Sequence, residues 1–141
     1  MIEPFSPGNR SRTLLLLTAV AALAVAAAAV GIDDNPIGIS LAMLSATALI
    51  LAFAHPWRAS ARFRRLTIAS ALGFVVLLIL GVALEAWVDL TSMPGLVDQL
   101  LGAIGTAFLL GAAFLCIPGF LVGVCGTILM RRRERDRRPT A

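Results

Sequence analysis

The chain has 141 residues, 59% of them hydrophobic, with a formal net charge of +4 and a mean hydropathy of +0.91. Soluble globular domains hold roughly 45 to 50% apolar residues, so this composition excludes an ordinary water-soluble domain and makes lipid the solvent for most of the chain. Four membrane spans of about 20 residues each would consume over half of it. That leaves room for one transmembrane unit, residues 1–130, followed by a basic cytoplasmic tail, residues 131–141.

Every one of the twelve basic residues is an arginine, and they fall in three segments: Arg10 and Arg12; Arg58, Arg62, Arg64 and Arg65; and Arg131, Arg132, Arg133, Arg135, Arg137 and Arg138. The other two connectors carry only acids, Asp33, Asp34, Glu85, Asp89 and Asp98. Cytoplasmic loops retain arginine while translocated loops do not. The pattern therefore predicts an all-α integral membrane bundle of four transmembrane helices with both termini cytoplasmic. The sequence pI near 11.0 then follows from orientation and from attraction to a lipid bilayer with anionic headgroups, with no nucleic-acid partner implied. Lysine is absent while arginine and alanine are abundant, a composition that resembles the coding bias of GC-rich bacterial genomes. The expected location is the bacterial inner (cytoplasmic) membrane.

Along the chain, residues 1–12 are polar and rich in Pro, Ser and Gly, which predicts a flexible tail. Thr13 to Ile32 supplies twenty uncharged residues, enough to span once. A cleaved secretory leader is the rival, with Arg10 and Arg12 as its n-region and Ala24-Val25-Ala26 as a cleavage site. The apolar stretch running on to Ile32 favours a retained span. The connector Asp33-Asp34-Asn35-Pro36 is short enough to force helices one and two into a tight hairpin. Asn35 is placed to cap the second helix and Pro36 to take its first position, where a missing N–H costs nothing. Asp33 and Asp34 sit by that helix N-terminus, where the dipole favours negative charge.

The second span, 36–54, exits at His55-Pro56-Trp57-Arg58, an aromatic anchor and a cation at headgroup depth. Arg58 to Arg65, with Phe63 among the arginines, predicts a short loop on the membrane surface. A third span over 66–86 follows, with Glu85, Trp87 and Asp89 marking its outer exit, and Pro94-Gly95 breaks the chain. From Gln99 to Met130 no residue is charged, about 48 Å of helix against a hydrocarbon core of about 30 Å. The excess predicts an interfacial segment near 95–101, a span over 103–130, and a kink near Pro118-Gly119. Beyond Met130 the charge density predicts disorder.

Small residues supply the packing signals. Gly119 and Gly123 form a G-x-x-x-G pair within a ladder of Ala103, Ala107, Gly111, Gly119, Gly123 and Thr127. A straight helix precesses about 40° per four-residue step, so the two halves of the ladder face different neighbours. Gly38, Ala42 and Ala46 form a similar stripe on the second helix, and Ala69 with Gly73 a shorter one on the third. Packing within the bundle is the first expectation. Contact with another membrane protein, or with a second copy through Gly119 and Gly123, is the alternative. Cys116 and Cys125, nine residues apart, point to opposite helix faces and cannot bridge each other.

No nucleophile motif, phosphate loop or triad spacing occurs, so no catalytic residue, cofactor site or metal site is expected. His55 is the lone histidine and lies on the arginine side of the topology, apart from the five acids that flank the membrane on the other. Those acids could gather on one rim around Ca²⁺, although helix-end charge and orientation account for them equally. Transport usually requires ionisable groups at membrane depth. Four helices in a small protein resemble the small multidrug resistance transporters, which carry a glutamate in the first span, yet Thr13 to Ile32 has no acid. The hydroxyls of Ser40, Ser45, Thr47 and Thr106 would line a polar path if an oligomer conducted.

Two segments, Asp34-Asn35-Pro36-Ile37-Gly38-Ile39 and Ala54-His55-Pro56-Trp57-Arg58, resemble the corresponding positions of small four-helix bacterial integral membrane proteins that have no assigned function. That resemblance covers the second and third spans and implies topology rather than chemistry. The expected role is a non-catalytic accessory or scaffold subunit packing within or against a larger membrane complex, with an oligomeric solute or ion transporter as the alternative.

Overall fold

The computed structural model describes residues 4–32, 35–91 and 95–136. Helix is the only regular structure among them: α1 (Arg10–Val30), α2 (Pro36–Ala54), α3 (Ser60–Thr91) and α4 (Leu96–Asp136). Each is long and apolar enough to cross a membrane. A π-helical stretch, Ala112–Cys116, interrupts α4. Pro118 lies two residues after it and has no N–H for the carbonyl one turn back, which its ring also crowds, so the wider turn relieves the contact. The local irregularity expected at Pro118-Gly119 thus falls on the turn before them.

The sequence predicted the first helix from Thr13 and a loose tail before it, but α1 begins at Arg10 and residues 4–9 fold onto its first turn. Thr13 is fully buried there, its hydroxyl 2.7 Å from the carbonyl oxygen of Pro4 and 3.1 Å from that of Asn9. At the other end, Gly31 takes a φ of 86°, a left-handed conformation open to glycine, and its N–H closes the helix on Ala27 O. Asn35 then caps α2 as expected: its Oδ1 accepts from Ile37 N at 3.0 Å while Nδ2 donates to Val30 O at 3.2 Å. One side chain therefore ties both helix ends of the hairpin. Gly38 completes the turn, because a Cβ at that position would run into the carbonyl oxygen of Gly31. Asp33 and Asp34 lie outside the described residues.

The second hairpin pairs α3 with α4 along almost their whole length. Seven positions of α4, namely 105, 109, 112, 116, 119, 123 and 126, alternate at four- and three-residue steps, the 3.5-residue period of a coiled-coil seam. Six of them are glycine, alanine or cysteine. Opposite them α3 descends in matching register. Gly81 meets Leu109 and Gly105, Gly73 meets Cys116 Sγ, Ser70 meets Gly119, Thr67 meets Gly123, and Phe63 meets Gly126. A Cβ on Gly123 would stand 2.7 Å from Thr67 N and 3.0 Å from Phe63 O. The contact is thus backbone against backbone, which is how helices gain van der Waals energy in lipid. Gly119 and Gly123 are both buried and are covered by α3 of the same chain.

The helices stand in the spatial order α1, α2, α4, α3, with α2 packing on the C-terminal half of α4. Where the hairpins meet, Ala54, Phe63 and Val122 are buried together, with Ile50, Trp57, Leu66 and Met130 packed around them. Phe63 and Trp57 contact edge to face, ring centroids 5.4 Å apart. Two expectations are corrected here, for 58–65 and for the residues past Met130. The segment Arg58 to Arg65 is not a surface loop, since α3 starts at Ser60 and Phe63 turns inward to cover Gly126 while Arg62, Arg64 and Arg65 stay exposed. The segment 95–101 is already helical from Leu96 and continuous with α4, and helix persists past Met130 to Asp136. There the Glu134 carboxylate accepts from Ser60 N and Oγ at 3.4 and 3.3 Å, tying the end of α4 to the start of α3.

Substitutions at the closest approaches should separate seam from surface. Gly123→Ala and Gly38→Ala are each expected to destabilise the protein by about 1 to 3 kcal/mol through overpacking against backbone. Gly102→Ala, where a Cβ meets nothing within 4 Å, should leave stability unchanged or slightly higher. Unfolding midpoints in mixed detergent micelles measure the difference.

Candidate functional site

The polar groups of the helices show which surfaces could host chemistry. Most hydroxyls donate to the carbonyl one turn back on their own helix: Thr18 to Leu14, Ser40 to Pro36, Thr47 to Met43, Thr67 to Phe63 and Thr127 to Gly123, all at 2.7 to 3.1 Å. Ser45 instead crosses to α1, donating to Val20 O at 3.1 Å from a buried position. Thr106 is exposed. Of the four hydroxyls expected to line a path in a conducting oligomer, two are turned onto their own backbone, one joins two helices and one faces out.

A groove of about 480 Å³ runs between the hairpins, lined by Ala27, Ala42, Ser45, Leu110 and Phe114 among others. A second, of about 370 Å³, lies beside the π turn between Phe74 of α3 and Phe120 of α4. Both are almost wholly apolar. Cys116 is buried and Cys125 exposed, on opposite faces as the spacing required, and both are free thiols. Among the described residues no group of three or more His, Cys, Asp or Glu stands close enough to hold a metal ion. Asp98 occupies the first turn of α4, where it complements the helix dipole. Glu85 packs its Cγ beside Gly105.

The strongest gathering of polar side chains is at the opposite end of the helices from these acids. There a cavity of about 290 Å³ is lined by Asn9, Arg12, His55, Pro56, Trp57, Arg58, Met130 and Arg133. These residues come from all three arginine segments: the start of α1, the connector between α2 and α3, and the end of α4. The three segments therefore converge on one end of the array. His55 Nδ1 lies 3.0 Å from Ala52 O, while Nε2 is buried without a partner among the described residues. Among the described residues no carboxylate pairs with Arg12, Arg58 or Arg133. Glu134 borders an adjoining small cavity with Arg58 and Arg133.

Sequence reasoning named these residues one by one, as an orientation signal and a headgroup-level histidine, but did not join them into a site. The available signal was that a chain whose arginine segments share one end must bring them near one another. No family model, curated protein or solved structure matches this chain.

Ser45 offers a direct test of the interhelical bond. Ser45→Ala should weaken the α1–α2 hairpin by about 0.6 kcal/mol, with about 1.7 as an upper value. Thr47→Ala, which removes only a bond to its own helix, should be close to neutral in the same unfolding assay.

Proposed function

We propose that the protein is a non-catalytic subunit of the bacterial inner membrane, spanning it four times with both termini cytoplasmic, and that it acts as an accessory or scaffold packed within or against a larger membrane complex. The observation that carries the reading is the fate of the mid-helix hydroxyls. A conduit needs polar groups free to replace water around a moving solute, whereas Ser40, Ser45 and Thr47 spend theirs on backbone carbonyls. No ionisable residue lies between Thr13 and Val30 of α1 or between Pro36 and Ala54 of α2, where proton or ion coupling would need one.

Orientation is supported by the convergence of Arg12, Arg58 and Arg133 on one cavity, because cytoplasmic ends are those that retain arginine. The remaining arginines favour a bilayer with anionic headgroups. Since Gly119 and Gly123 already seat α3, contact with another membrane protein would use a different surface. The apolar groove between the hairpins carries Ala24, Ala27, Ala42 and Ala46 among its larger apolar residues, and such small residues let a further helix approach.

Purification of the full-length protein in mild detergent should recover it with one or more defined membrane proteins, and the protein reconstituted alone should raise solute or ion flux no higher than empty vesicles do. Recovery of a lone species that moves solute would replace the scaffold with the transporter.

A further inference from the structure

We propose that the cavity at the arginine-rich end is a binding site for a phosphodiester headgroup that carries a hydroxyl, as a glycerol-headed anionic phospholipid does. The inference rests on the membrane reading above but not on the scaffold role. Two independent features point to it. First, Arg12, Arg58 and Arg133, brought from three distant parts of the sequence, line one cavity and have no carboxylate partner among the described residues. Guanidinium groups match phosphate oxygens through paired N–H donors. The arginines stay open to solvent, so a headgroup can reach them, and Glu134 nearby is held by Ser60.

Second, His55 contributes a buried nitrogen that no described residue satisfies. A carbonyl oxygen only accepts, so the 3.0 Å contact with Ala52 O places a proton on Nδ1. In the neutral ring Nε2 is then an acceptor, and it has no donor among the described residues. Buried polar atoms are seldom left unpaired. With a small shift of the wall that seals Nε2, a ligand hydroxyl supplies what this nitrogen lacks, while the phosphate answers the arginines. Trp57 and Met130, which line the same cavity, give it an apolar side against which an acyl or glycerol backbone can lie. A volume of about 290 Å³ falls just below the range of drug-sized ligand pockets, about 300 to 1,000 Å³, and suits a headgroup rather than a whole lipid. Simple charge attraction to a membrane requires neither the convergence nor the imidazole. Arg62 and Arg65, exposed on α3, represent that diffuse kind of contact.

The test uses the full chain with Trp87→Phe, which leaves Trp57 as the single tryptophan. It is reconstituted in phosphatidylcholine vesicles doped with brominated phosphatidylglycerol, and Trp57 quenching is followed against mole fraction. Half-maximal quenching should come at about a fivefold lower mole fraction than with brominated phosphatidylcholine. Arg58→Gln with Arg133→Gln should remove that preference, whereas Arg62→Gln with Arg65→Gln, an equal loss of charge, should keep it. His55→Phe should erase the advantage of phosphatidylglycerol over brominated phosphatidylmethanol, which has the phosphodiester but no headgroup hydroxyl. A free phosphate ester as the source would show instead as a saturable, Arg58- and Arg133-dependent change in Trp57 fluorescence on adding glycerol 3-phosphate in detergent, with no lipid preference. The site is overturned if the two double variants behave alike or if neither arm shows saturation, and its hydroxyl contact is overturned if His55→Phe changes nothing. Failure of the protein to float with the vesicles would overturn the membrane reading itself, and the lipid assignment with it.

Discussion

A guanidinium is costly to place in hydrocarbon, by about 2.5 to 3.5 kcal/mol even on the mildest scales, and this chain carries three groups of them separated by apolar stretches. If each group is to stay at the same end, the chain must go out and back between them, which makes an even number of helices in antiparallel pairs. The fold has that form: α1 returns as α2 through the turn at Gly31 and Asn35, and α3 returns as α4. Both hairpins bring their arginines to the end where Trp57, Phe63 and Met130 cluster. The charge constraint sets the path of the chain, and the small residues then decide how closely its limbs approach.

The two hairpins solve the packing problem in different ways. In α1–α2 the approach is closest at the turn, where Gly38 faces the Gly31 carbonyl, and Ser45 supplies one interhelical hydrogen bond further along. In α3–α4 close contact is repeated from Gly105 to Gly126, and the polar tie lies beyond it, where Glu134 accepts from Ser60. Between the hairpins α2 meets α4 from the π stretch onward, and an apolar groove lies open beside Leu110, Phe114 and Leu115. The end with the arginines is thus the better fastened one. It is also where the polar-lined cavity of about 290 Å³ lies.

The helices were legible because uncharged runs of twenty residues have one stable form in lipid, and the α1–α2 turn because Asn35-Pro36 carries its own capping chemistry. The seam was only half legible. A ladder drawn at four-residue steps from Gly119 and Gly123 reaches Ala107 and Ala103, which the structure leaves exposed, whereas the contact face runs through Cys116, Ala112, Leu109 and Gly105. Two packed helices keep a shared face at 3.5 residues per repeat, not at four. Ala69 fails for the same reason, facing outward while Ser70 and Gly73 meet α4. Charge misled at the helix ends: arginines at 62, 64, 65 and beyond 130 read as loop and tail, yet a long side chain can leave its helix for water and let the backbone continue. The cationic cavity depends on which arginines face one another across three elements, and that is a tertiary fact without a local signature.

The measurement that bears most directly on this account is a set of fusions to a reporter enzyme active only outside the cytoplasm. Placed after Asn35 or after Gly95 it should be active, and placed after Arg58 or after Asp136 it should be silent. Activity at either arginine-bearing position, or silence at both of the others, would contradict the claim that the positive charge of this chain is held on one side of the bilayer.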